Sequence, residues 1–405
     1  MSFIFPIYRN PCLAFFLCLF LGFSKHLRAA DIAFVGDSFS LGIGASENTA
    51  LDMVQIGKIL KGEIRLKGPI SPEQKAEGPS LLWRGPREFY GTAEWVYSHL
   101  SEGLNRNFFM SPESSWSFLF AQKKGLDPSQ VFISAEPTAK VEQFPRLIDR
   151  ILDRTEAHVP QTVFVFFTSE DLCAMSMNGL TASDDYGNAL FQGMKYILRN
   201  GKAAPGGSKV YFPHFLPLAQ WLTKDDLRNH KVPFYGELHR CSELRSNGFV
   251  ATQVNPEALP TEVLYLSPLL PPNDNTRCPS LFQHSFLAAN EVSFLSRFQE
   301  PKRLAEIKTL EAKYLSEIST RIRNYRKETD LAVQKANEWK RKNMPHKDIT
   351  FISVPETGSI EFQGEDLSND CFHLSLQGQR KVADSLFSAL GPKQVPKIPK
   401  NQDRR

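Results

Sequence analysis

Five short apolar, β-prone runs recur along this chain at wide spacing, at residues 32–35, 131–134, 162–167, 209–215 and 350–354. Segments with helical character lie between or after them, at 116–124, 141–154, 186–199, 303–342 and 375–390. This alternation constrains the fold more than any other feature. Strands separated by helices need crossover connections, which make the strands parallel and cover both faces of the sheet. The expectation is an α/β domain with three α/β/α layers and a five-stranded parallel sheet in flavodoxin-like order. In such sheets functional groups gather at the carboxyl ends of the strands.

Two stretches break the alternation. Residues 47–100 and 220–300 are long, mixed insertions, the second carrying Cys241, Cys278 and the run Leu269-Leu270-Pro271-Pro272. Insertions of this size in α/β domains are functional loops or subdomains more often than linkers. The second reads either as a lid or as a cover for a sheet edge. Residues 303–342 are heavily charged but carry Leu304, Ile307, Leu310, Tyr314, Ile318, Ile322 and Tyr325 at helical spacing. One such stripe predicts a long helix packed on the sheet with its outer face in water.

The ends read differently from the body. Arg9 followed by the apolar run Cys12 to Phe23 and the small residues Ala29 and Ala30 reads as an export signal over residues 1–30, with an uncleaved anchor as the alternative. The body, 31–390, then forms one domain, and the Pro- and Lys-rich tail, 391–405, is expected to be disordered. The formal charge is +4, of which Arg9, Lys25 and Arg28 supply three. The rest is nearly neutral, and nothing in its charge pattern suggests nucleic acid. Outside the leader the cysteines are Cys173, Cys241, Cys278 and Cys371. In an exported chain they allow disulfides in three connectivities. A Cys241–Cys278 bridge would staple the second insertion. No Cys/His cluster has metal-ligand spacing, so neither a metal nor a cofactor is expected.

The first apolar run ends in Gly36-Asp37-Ser38. Gly, Asp and Ser are also ordinary turn residues, so the tripeptide gains weight only with a base and an acid to match. A serine hydroxyl needs a base to take its proton, and that base needs an orienting acid. Asp370 and His373, three residues apart, follow the last strand-like run. One turn of chain can present both side chains on one side. They would then reach the same sheet edge as Ser38. The alternatives are a helix-start histidine and a capping acid.

These blocks resemble the SGNH (GDSL-type) hydrolases, and within them the phospholipase B-like branch. The resemblance rests on Gly36-Asp37-Ser38 with Gly42, Gly44 and Ala45, on Ser115-Trp116, and on Asp370-Cys371-Phe372-His373. It implies the SGNH hydrolase fold, with Ser38 as nucleophile, His373 as base and Asp370 as its partner. Thr138, within Ala135 to Lys140, stands where the family has an oxyanion-hole glycine, and Glu170 where it has an asparagine. With Ser38 N–H these would be the oxyanion donors by position. An ionised Glu170 donates nothing and repels an oxyanion. Either Glu170 is protonated by burial, or another residue fills the hole, or activity is weak or lost. Cys173 and Cys371 each lie two residues from a block residue, so a Cys173–Cys371 bridge would pin the two catalytic loops together.

The function expected is therefore an exported serine ester hydrolase acting on a lipid or other carboxylic ester through an acyl-enzyme. The phospholipase or lysophospholipase variant is implied by the resemblance alone. A polysaccharide acetylesterase or acetyltransferase and a catalytically impaired SGNH-like binding protein are the alternatives. Peripheral contact with a membrane and the oligomeric state stay open.

Overall fold

The structure is a computed structural model. It describes residues 32–42, 45, 80–81, 114–126, 130–136, 139–174, 176–234, 237–246, 278–293, 299–368 and 371–391. The leader, the tail beyond 391, nearly all of the first insertion, residues 247–277 of the second, Thr138 and Asp370 lie outside the described residues.

The central sheet contains β1 (Ile32–Gly36), β2 (Ser80–Leu81), β3 (Val131–Ala135), β4 (Thr162–Phe166), β5 (Ser208–Pro213) and β6 (Ile349–Val354). Their spatial order is β6-β5-β4-β1-β3-β2, and every pairing is parallel. All five expected strands are present, in flavodoxin-like order. The first insertion adds the two-residue β2 at the edge beside β3. In β1, β3 and β4 every residue is buried, as strands covered on both faces require. That double burial is why these strands are near-continuous apolar runs rather than alternating ones.

The principal helices are α1 (Trp116–Lys123), α2 (Phe144–Arg154), α3 (Ser183–Asn200), α4 (Glu300–Asn343) and α5 (Leu376–Leu390). Helices α1 and α5 pack together, while α2 packs on α3 and α3 on α4. Pro145 falls in the first turn of α2, where a missing N–H costs nothing. Phe34 of β1 joins the layers. Its ring stacks on Phe164 at 5.3 Å and meets Trp116 of α1 edge-on at 5.2 Å.

Helix α4 corrects one expectation. Tyr314, Ile318, Ile322 and Tyr325 are buried as the stripe predicts, but Leu304 is 48% exposed and Ile307 and Leu310 are only partly covered. The buried stripe instead runs on through Thr329, Ala332, Val333 and Ala336. At 44 residues the helix is about 66 Å long, more than a short-stranded sheet can cover. The helix packs on α3 and β6, and towards its start it meets the short helix His284–Glu291 of the second insertion and Ser293 just beyond it.

Candidate active site

Strand β1 lies between β3 and β4, where the strand order reverses. A crevice opens at the carboxyl end of such a switch point. Gly36 ends β1 there, and a Cβ on it would collide with the Phe166 carbonyl oxygen and the Ser40 side chain. The chain then makes a 3-10 turn, Ser38–Leu41, closed by Gly42 in the left-handed region at φ 67°. Ser38 opens this turn and is 3% exposed.

Asp37 is fully buried and serves as a tie. Its carboxylate accepts hydrogen bonds from Phe39 N–H at 3.1 Å, Thr168 N–H at 2.6 Å, Thr168 O–H at 2.8 Å and Ser169 N–H at 3.2 Å. Burial still pushes its carboxyl above the usual range, although these donors oppose the shift. The serine turn is thereby fastened to the loop after β4. Gln379 of α5 holds the same turn from the other side, donating to the Phe39 carbonyl at 3.3 Å while its Oε1 accepts from Trp116 N–H at 2.9 Å. Ser117 adds a bond to the Ser40 carbonyl at 3.1 Å. No short motif marks Gln379 or Ser117, because a side-chain bond to a distant carbonyl leaves no local pattern.

His373 reaches Ser38 across 335 positions of chain, with Nε2 3.0 Å from the serine Oγ. It sits on a tight loop bounded by an antiparallel bridge between Leu367 and Leu374. Ser368 N–H donates to the His373 carbonyl at 2.9 Å, and Cys371 N–H to the Ser368 carbonyl at 2.9 Å. The imidazole is half-buried against Phe39 and Phe372, with ring centroids 5.2 and 4.7 Å away. Helix α5 follows at once, with Ser375 as its N-cap. Ser38 and His373 are thus brought together as expected. Asp370 and Thr138 lie outside the described residues.

Glu170 opens the turn Glu170–Leu172 after β4, next to the Ser169 N–H bonded to Asp37. It is buried, and its carboxyl is pushed up from 4.5 to about 8, first by burial and then by the neighbouring Asp37 and Asp171, with Lys140 opposing. At neutral pH the side chain is therefore mainly a carboxylic acid with an O–H to donate. Of the three outcomes raised for this position, the structure favours protonation. Asp171 is likewise pushed up to about 7 by burial, while its Oδ2 accepts from Val141 N–H at 3.1 Å.

The disulfides correct the expected pairing. The bonds are Cys173–Cys278 and Cys241–Cys371, with Cα atoms 4.4 and 5.3 Å apart, and not Cys241–Cys278 and Cys173–Cys371. The reason lies in how the second insertion docks. Ser280, two residues beyond Cys278, donates to the Leu172 carbonyl at 2.7 Å and accepts from Ala174 N–H at 2.8 Å, which seats Cys278 on Cys173. The short helix Cys241–Ser246 packs instead behind the histidine loop. The insertion is stapled to both loops of the site rather than to itself. A Glu170 carboxyl oxygen lies within 4.8 Å of the sulfurs of Cys173 and Cys278. Those sulfurs are bonded to each other, so the group offers a cation one carboxyl group and no thiolate.

A second Ser/His/Asp cluster lies where β5 and β6 meet α4. His214 Nε2 is 2.9 Å from Asp330 Oδ1 and 3.1 Å from Ser353 Oγ, and the Ser353 hydroxyl donates to the same Oδ1 at 2.5 Å. The residues are far apart in sequence and carry no motif. No family model matches this chain, and no curated protein matches it either.

Proposed function

We propose that this protein is a serine ester hydrolase in which Ser38 is the nucleophile and His373 the general base. The observation that carries the reading is the 3.0 Å contact between His373 Nε2 and Ser38 Oγ at the switch point of the parallel sheet. The histidine is within reach of the proton it must take, which is the first requirement of a base.

In the proposed reaction His373 Nε2 accepts the Ser38 proton as Oγ attacks the ester carbonyl carbon. The C–O bond to the alcohol breaks as His373 returns that proton to the leaving oxygen, giving acyl-Ser38 and free alcohol. Water, deprotonated by His373, then releases the acid and restores the serine. By position, the oxyanion donors are the Ser38 N–H and the neutral carboxylic acid of Glu170. Asp370 takes the role of orienting acid on the strength of its place three residues before His373. The resemblance of these blocks to SGNH hydrolases supports the same roles and, by itself, a lipid ester as substrate. Two disulfides and an apolar amino-terminal run support export.

The test is hydrolysis of p-nitrophenyl esters of graded chain length by the purified protein. Activity that disappears in Ser38→Ala is the expected result, and a rising rate from acetyl to longer acyl chains would favour lipid esters over acetyl groups. Undiminished hydrolysis by Ser38→Ala would refute the assignment.

A further inference from the structure

The loop carrying His373 is held from behind by one buried cation. Cys241 and Arg245 stand four apart on the short helix Cys241–Ser246, so they face the same way. Cys241 is bonded to Cys371. Arg245 is 3% exposed and directs Nε and Nη2 to the carbonyl oxygen of that same Cys371, at 3.0 and 2.7 Å, while Nη1 donates to the Trp221 carbonyl. Trp221 in turn donates its indole N–H to the Phe372 carbonyl at 3.0 Å. The guanidinium also lies 5.5 Å from the Phe282 ring, which packs edge-on against Phe372 at 5.0 Å.

Two features make this more than support for the insertion. Cys371 adopts φ 59°, a left-handed conformation that non-glycine residues seldom take. Such a backbone persists only where its surroundings dictate it, and here a disulfide and a two-pronged donor converge on one peptide. Burying a guanidinium is also costly, so an apolar side chain would serve if filling space were the only need. The planar fork supplies two directed donors to a single oxygen, which a lysine cannot reproduce.

We propose that Arg245 is a positioning residue for His373. It fixes the Cys371 carbonyl, and with Trp221 on the next carbonyl it sets the course of the chain that aims Nε2 at Ser38. This rests on the reading of Ser38 and His373 as nucleophile and base. The second insertion, far from being a passive cover, then supplies part of the apparatus that orients the base.

The test uses the full chain as wild type, Arg245→Lys and Arg245→Ala. Ester hydrolysis, the rate of fluorophosphonate labelling and hydrogen exchange of peptides covering 368–375 are measured together. Arg245→Lys is expected to lower kcat and the labelling rate by roughly tenfold or more, since small displacements of reacting groups cost rate steeply. KM should stay near the wild-type value and exchange in the loop should rise. Methylguanidinium added to Arg245→Ala should restore part of the labelling rate, and the fall in kcat at unchanged KM is the readout that a merely structural role would not produce. If Arg245→Ala does not fold, Arg245→Lys, which keeps the charge and most of the stem, decides the matter. A folded Arg245→Lys with wild-type kcat overturns the proposal, as does a loss carried wholly by KM. If the wild type hydrolyses no ester, the failure falls on the Ser38–His373 reading. Loop exchange then decides the positioning role: faster exchange in Arg245→Lys supports it and unchanged exchange refutes it.

Discussion

The molecule sets a serine against a histidine in two places, and the two pairs are wired differently. At the switch point, Ser38 meets His373 Nε2 directly, on loops tied down by Asp37, Gln379 and two disulfides. At the junction of β5, β6 and α4, Ser353 and His214 Nε2 both turn to one oxygen of Asp330, whose side chain is 54% exposed. There the serine proton is committed to a carboxylate, and the histidine uses the same nitrogen for acid and serine alike. A relay needs the acid on one imidazole nitrogen and the serine on the other. Having Ser, His and Asp together therefore does not make a nucleophile; the order in which they are connected does. The first cluster puts the serine on an imidazole nitrogen with no carboxylate between them, and the second has the wiring of a latch between two strands and a helix.

The largest effect should separate the two clusters outright. Ser38→Ala or His373→Ala is expected to lower ester hydrolysis by on the order of 10⁴-fold or more, as removal of a triad member does elsewhere. Ser353→Ala should leave the rate near that of wild type. Equal losses at both serines would erase the distinction.

A smaller effect concerns Glu170, the acid beside the first cluster. Ionisation through about 8 should remove its O–H donor, so wild-type kcat/KM should fall by about tenfold per pH unit above that value. Glu170→Gln keeps a neutral donor at every pH and should lose this alkaline decline. A decline of the same steepness in Glu170→Gln would take the acid out of the mechanism. The same shift has a consequence for stability. A carboxyl held above its ordinary value binds its proton more tightly when folded, so it contributes stability below about 4.5 that is lost as pH rises towards about 8. Chemical denaturation of wild type should show that downward slope, and Glu170→Gln should flatten it.

The smallest effect belongs to the second cluster. Asp330→Asn should cost at most about 1 kcal/mol in denaturant unfolding, because an exposed carboxylate is screened by water. It should not alter esterase activity.

Much of the fold was legible in the sequence, for a definite reason. Strands buried on both faces are mostly apolar, so β1, β3 and β4 announce themselves as near-continuous runs, with the buried Ser134 of β3 bonded to the Leu147 carbonyl. That Ser38 and His373 would meet was also legible, because both follow strands whose carboxyl ends share one sheet edge. What resisted reading depends on tertiary docking. The disulfide pairing turned on where Ser280 bonds, which no spacing between cysteines encodes. Arg245 and Gln379 act on backbone carbonyls 126 and 340 positions away, and any residue type can present a carbonyl. The helical stripe of α4 gave the correct face, but where along that face the sheet ends is set by strand length, not by the helix. Glu170 looked like a defect from its residue type alone. Its charge state is decided by burial beside Asp37 and Asp171, which only the folded chain supplies.

The most direct measurement is to label the intact protein with a fluorophosphonate at neutral pH and locate the adduct by peptide mass spectrometry. A single adduct on Ser38, absent in His373→Ala, is the predicted result. An adduct on Ser353, or no adduct on a protein shown to be folded, would contradict the account.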